Sequence, residues 1–135
     1  MTSEILEMSS QILVGHCFAG LGSGGDSQHW SLLVWDLARS RFLRWGGLAD
    51  TPGRLTVTRA CAVAWTDWSA VWKADAHGWA QIGCLDYSET DPRANRLTVQ
   101  GDTLSWLQSG AMTSYRLIGA ATGDEPQPRP ASLAC

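Results

Sequence analysis

The sequence predicts an all-β fold, a small antiparallel up-and-down barrel of about eight strands, with a β-sandwich as the alternative. Two observations carry this. Residues 95–119 hold three short β-type runs, and in the first of them Leu97 and Val99 alternate with Arg96, Thr98 and Gln100, the period of a strand with one buried face. Gly101-Asp102 and Ser109-Gly110 interrupt those runs, and Gly-bearing two-residue breaks suit the primed turns whose twist matches antiparallel strands. Short connections recur upstream. All-β chains deal with exposed sheet edges by closing the sheet or by packing two sheets together.

Taken in order, Gln11–Phe18 reads as the first strand, and Gly20–Ser27 is too rich in Gly for regular structure. That Gly run lacks the Gly-Lys-Ser/Thr ending and following helix of a phosphate-binding loop, so it reads as a flexible loop. His29–Asp36 and Arg41–Trp45 flank Leu37-Ala38-Arg39-Ser40 as a hairpin with a short loop. Residues 46–53, with Pro52, connect it to the next strand. Over 54–65, Leu55, Val57, Cys61, Val63 and Trp65 form one apolar stripe while Thr56 and Thr58 face the other way.

Residues 60–80 fit two patterns. Cys61, Trp65, Trp68, Trp72 and Trp79 fall near helical spacing, yet Trp68, Ala70, Trp72 and Ala74 also alternate with Ser69, Val71, Lys73 and Asp75. The neighbouring strands favour β. Ala76-His77-Gly78 is then a turn before a strand over 79–87, and Ser88–Arg93 is a polar loop. Beyond Ala120, Pro126, Pro128 and Pro130 mark a polyproline-like or disordered tail. The expected organisation is one β-barrel domain over 1–120 and a Pro-rich tail over 121–135. In general layout this barrel resembles the calycin type of ligand-binding barrel, and the likeness of architecture implies room for one small ligand.

Composition narrows the function classes. Apolar residues at 44% and charged residues at 17% of 135 describe a chain able to bury a core, which a disordered chain is not. The net charge is −3 and no basic stripe appears, so nucleic acid is excluded as an expected partner. Glu4 and Glu7, with no Lys or Arg in the first ten residues, oppose a secretory signal, and no apolar run approaches membrane-spanning length. The expected location is cytoplasmic, with no membrane partner. Cys17, Cys61, Cys84 and Cys135 are scattered without a C-x-x-C pair, and free thiols are expected.

The sharpest local motif is Gly24-Gly25-Asp26-Ser27-Gln28-His29-Trp30-Ser31-Leu32-Leu33-Val34. It resembles the His-bearing strand of the cysteine proteases that cut ubiquitin-like proteins. The resemblance implies His29 as a general base, but the orienting Asp position falls at Gly46, and the nucleophile segment is absent. It marks at most a degenerate protease-like module. For metal, His16, Cys17, His29, His77, Cys84 and Asp86 are the available ligands. None forms the compact pairs of a structural zinc site, and strand alternation sends His16 and Cys17 to opposite faces, so no metal is expected. No cofactor motif is found either. Asp67 and Asp75 read as turn or strand-end residues. Arg59 shares the register of Val57 and Cys61, where a buried charge would need an anionic partner or ligand.

The eight Trp are the outlier. Indoles are rigid, amphipathic and enriched in ligand pockets and in interface hot spots. The function expected from sequence is therefore binding of an apolar or aromatic small molecule in a cavity lined by Trp35, Trp45, Arg59, Trp65, Trp72, Trp106 and Tyr115. Isomerisation or cyclisation by positioning is a possible activity there. The alternative is a non-enzymatic assembly or interaction protein that uses exposed Trp and the Pro-rich tail, either as a homo-oligomer or with a protein partner.

Overall fold

In a computed structural model, the structure describes residues 7–23, 30–48, 52–86, 88, 90, 96–121 and 133–135. These contain eleven strands and no helix. Strands β1 (Glu7–Val14), β2 (Cys17–Ser23), β3 (Trp30–Asp36) and β4 (Arg41–Leu48) form an antiparallel meander, sheet A. Strands β5 (Pro52–Val57), β6 (Val63–Asp67), β7 (Ala70–Asp75) and β8 (Gly78–Cys84) form a second meander, sheet B. Strands β9 (Thr98–Gln100), β10 (Thr103–Gln108) and β11 (Ala111–Arg116) form sheet C. The all-β, antiparallel class is as expected. Among the described residues the strands are divided over three sheets, and no closed barrel is found.

Two core clusters relate the sheets to one another. In the first, Ala19, Leu21, Leu32, Val34, Leu43 and Trp45 of sheet A pack with Val57, Val63, Trp65, Trp72, Ala74 and Trp79 of sheet B. In the second, Ala62, Ala64, Val71 and Leu85 meet Leu104, Trp106 and Leu117 beside or within sheet C. Sheet B therefore buries both faces, and every residue of β6 is buried. This resolves residues 60–80 as a β-hairpin. Trp65 and Trp72 sit opposite each other across β6 and β7, so one strand face carries both. Helical spacing of the indoles arises from the alternation together with the turn between them.

The turns read from sequence in sheet C hold. Gly101-Asp102 and Ser109-Gly110 join β9 to β10 and β10 to β11. Ser109 and Gly110 have φ of 52° and 77°, the pair of positive values that a type I′ hairpin turn requires. Asp86 fastens this turn by accepting the Ser109 and Gly110 N–H groups at 2.7 and 2.8 Å.

The N-terminal half departs from expectation. The single strand expected over 11–18 is broken at Gly15-His16, which pairs Val14 with Cys17 and turns the chain back. Gly20–Ser23, expected as loop, extends β2. The reason is burial: Gly20 and Gly22 are both buried, and two strand neighbours supply the hydrogen bonds. Arg59 is exposed at the β5–β6 corner and off the Val57 face, because β5 ends at Val57 and a turn interrupts the alternation.

The four cysteines are paired, which corrects the expectation of free thiols. Cys17 bonds Cys61, with Cα atoms 5.2 Å apart and a sequence separation of 44. Cys84 bonds Cys135 with Cα atoms 5.6 Å apart. The scattered spacing hid the pairing because the first bond joins β2 of sheet A to the corner between β5 and β6. No helix among the described residues is long and apolar enough to cross a membrane.

Candidate functional site

Strand register explains why one outward face is apolar. Along β3, Leu32 and Val34 point into the first core cluster, so Trp35 must point the other way. The Leu13–Phe18, Phe18–Trp35 and Trp35–Phe42 pairs run directly across the four strands of sheet A. They make one row, spanning about 14 Å at the usual strand separation. Leu13, Trp35 and Phe42 are 61%, 36% and 45% exposed. The Trp35 ring lies 5.3 Å from Phe18, edge-on, and 4.5 Å from Phe42, tilted. Leu37, also exposed, borders the row, held there by its N–H to the His16 carbonyl at 2.9 Å. Such cross-strand aromatic contacts brace the ladder and still leave ring faces in solvent.

Two arginines stand near the row. Arg44 follows Phe42 on the outward register of β4, where it pairs with Leu33. Arg39 lies in the adjoining turn and donates to the buried Asp36 carboxylate at 3.0 Å. Asp36 itself is turned inward, so its charge faces away from the row.

The other residues expected to share a cavity are dispersed. Trp65, Trp72 and Trp79 form a triad with ring centroids 6.1–6.4 Å apart. Trp45 joins their cluster. Trp106 is equally buried, but in the second cluster, on the other side of sheet B. Its ring lies over Gly83, where a Cβ would come within 2.5 Å of Cζ2, and its indole N–H donates to Gln108 Oε1 at 3.1 Å. Tyr115 is on the outermost strand of sheet C and exposed, as is Arg59. One small cleft, lined by Asp36, Arg41, Leu43, Cys61 and Ala121, has room for roughly one water molecule. The indole N–H of Trp65 is buried with no acceptor among the described residues.

Lys73, the chain's one lysine, is buried between sheets B and C and donates to Asp75 Oδ1 at 2.7 Å and to the Gly78 carbonyl at 2.9 Å. Asp75 also accepts the N–H groups of His77 at 2.9 Å and Ile118 at 3.0 Å. Burial pushes the Asp75 carboxyl up, but the Lys73 ammonium and the two N–H donors outweigh it and hold the carboxyl below its ordinary 3.8. Two of the three Lys73 donors and both Asp75 oxygens are engaged within the fold, so the cluster works as a clasp between β7, β8 and the segment after β11.

His29 lies outside the described residues, and Cys61 is in a disulfide, so no thiol is paired with that histidine in this state. Of the tail, residues 122–132 lie outside the described residues. Its end is fastened to β8 by the Cys84–Cys135 bond and by the Leu133 N–H to Gln81 Oε1.

Sequence reasoning assigned Trp35 to an interior cavity, whereas it is exposed on sheet A, and did not single out Phe18, Phe42 or Leu13. A signal was present: Asp36 and Arg41 close the four-residue loop, which places Trp35 opposite Phe42. No protein-family model, curated protein or solved structure matches the chain.

Proposed function

We propose that the protein is a non-enzymatic interaction module whose outward face on sheet A binds a partner protein. The observation that carries this reading is the continuous Leu13–Phe18–Trp35–Phe42 row. Its exposed apolar surface, with Leu37, is on the order of 400 Å², which is large for a monomer and small for an obligate interface. The partner that fits is a protein surface or extended peptide that presents apolar and aromatic side chains. Aromatic side chains are the usual anchors of such contacts.

The test is selection from a random peptide library against the immobilised, disulfide-intact chain. Selected peptides are expected to be rich in apolar and aromatic residues, and Trp35→Ala is expected to weaken them by about 30-fold or more with an unchanged far-UV spectrum. A library that yields nothing, or peptides bound equally by Trp35→Ala, overturns the reading. A dimer by light scattering that Trp35→Ala dissociates assigns the face to a second copy instead.

A second reading, small-molecule binding among the core indoles, is favoured by one observation, the Trp65 N–H buried without an acceptor. It expects quenching of Trp emission by a neutral aromatic probe such as naphthalene, abolished in Trp65→Phe. The two disulfides bear on location as well: such bonds persist in oxidising compartments, so they favour one of those over the cytoplasm.

A further inference from the structure

The structure brings together three metal-ligating groups that the sequence separates. His16 is in the β1–β2 turn, Cys17 opens β2, and Cys61 is in the β5–β6 corner; one ligand atom from each lies within 4.8 Å of the other two. Strand alternation opposed this grouping, but His16 stands in a turn, where alternation does not apply. We propose that, once the Cys17–Cys61 bond is reduced, His16, Cys17 and Cys61 form a site for a thiophilic divalent cation of the zinc class.

The donor set is that of a three-ligand zinc site, two thiolates and an imidazole with a fourth position open to water. Ligands around a zinc ion stand about 3.3–3.8 Å apart, as bond lengths of about 2.0–2.3 Å dictate. The imidazole ligand atom lies within 4.8 Å of both sulfurs, so it closes by about 1 Å or more, and the sulfurs need to part from bonding distance by under about 2 Å. Cys61 is free of strand pairing, so the movement falls on a corner and not on a ladder. Asp36 Oδ1 lies 3.5 Å from His16 Nε2. A carboxylate on one ring nitrogen fixes the tautomer and leaves Nδ1 for the ion. Asp36 is itself buried and held by the Arg39 backbone N–H at 3.2 Å and its guanidinium at 3.0 Å. His16, 44% exposed, provides the approach from solvent.

The chemistry balances with a dithiol as reductant. Dithiothreitol gives two electrons and two protons to the disulfide, yielding the Cys17 and Cys61 thiols and the cyclic disulfide of the reagent. Binding of the cation then releases two protons, one from each thiol. Cys84–Cys135 supplies an internal control, because among the described residues it belongs to no such group. In an oxidising compartment the pair is a cross-link between sheets; in a reducing one the ion takes over that role.

The experiment is titration of the dithiothreitol-reduced full chain, freed of reagent without air, with Co2+. The expected result is one ion per chain by native mass spectrometry, with thiolate-to-cobalt charge-transfer bands and the d–d bands of tetrahedral cobalt. Cys84→Ser/Cys135→Ser is expected to bind as wild type, Cys17→Ser/Cys61→Ser not at all. Asp36→Asn is expected to weaken binding about 10- to 100-fold. Cys17 and Cys61 are buried, so His16→Asn, at an exposed turn, is the variant whose fold is least in question; it is expected to lose the tetrahedral spectrum while keeping the wild-type far-UV signal. Oxidised glutathione is expected to expel the ion. Absence of the bands in reduced wild type, undiminished binding in His16→Asn, or loss of binding in the Cys84/Cys135 variant overturns the proposal.

Discussion

Strand β7 presents two different ways of joining layers, one on each face. Trp72 faces sheet A, in a cluster of indoles and branched aliphatics. Lys73, the next residue, faces the other way and makes an ion pair with Asp75 that reaches the segment after sheet C. The A/B side is extensive and apolar, and it carries the covalent Cys17–Cys61 link. The B/C side is built on Ala62, Ala64 and Gly83, which let backbones approach closely, and on directed bonds from Lys73, Asp75, Asp86 and Gln108. Apolar burial is non-directional and sets how strongly layers adhere; hydrogen bonds with fixed geometry set where they sit. The contrast separates adhesion from alignment within a single strand.

Trp72→Ala is the strongest way to test the first half of this comparison. A fully buried indole is replaced by a cavity between sheets that β-ladders keep from collapsing, at a cost of about 3–5 kcal/mol. Against a typical total of about 5–15 kcal/mol, that brings the chain near unfolding. Urea denaturation should show the loss at pH 4 and pH 7 alike. A loss under about 1 kcal/mol would mean that the A/B layer is loosely packed.

Lys73→Met tests the other face and should cost about 3 kcal/mol, the low end for breaking a buried ion pair, because Asp75 keeps two backbone donors. Lys73→Met/Asp75→Asn should recover most of it, since the uncompensated charge is what destabilises. The pair also carries a pH signature. Asp75 titrates below its ordinary 3.8 in the folded state, so its contribution is present above that value and is lost as pH falls through the lower, folded one. Urea midpoints of wild type should therefore drop more steeply below about pH 4 than those of Asp75→Asn. Parallel curves would show that Asp75 is not the group responsible.

How much of this was legible follows the same division. Sheet C was readable as three strands and two turns, because Val99 and Leu104 alternate with polar residues and Gly101 and Gly110 mark the turns, although β9 begins only at Thr98. Sheets A and B were readable as strands but not as faces. Leu32-Leu33-Val34-Trp35 is apolar at every position, so period-2 reading cannot tell which residues point outward. That is how Trp35 was grouped with Trp45, Trp65 and Trp72 in one cavity, when it lies on the opposite face. The Cys17–Cys61 pairing and the His16 neighbourhood depend on how sheet A meets sheet B, and nothing local encodes that. Arg59 was misplaced for want of one turn, at a corner where Cys61 takes φ of 71°.

The smallest expected effect has the opposite sign. Trp68 opens the β6–β7 turn with φ of 54° and is 76% exposed. A left-handed backbone costs an ordinary L-residue about 1–2 kcal/mol, and β-hairpin turns normally place Gly or Asn there. The indole recovers little of that cost by packing, given its exposure. Trp68→Gly removes the strain but gives the unfolded chain more freedom, which returns about 0.5–1 kcal/mol. The net expectation is a gain of at most about 1 kcal/mol, read as a higher urea midpoint at unchanged slope. Trp68→Asn should gain a similar amount, since Asn also tolerates this conformation. If both variants gain, the wild-type indole is held at a cost to stability, and the selected peptides of the sheet A test should be screened against Trp68 as a second contact. If both lose stability, Trp68 packs onto its own hairpin and belongs with Trp72 on the adhesive side of the comparison.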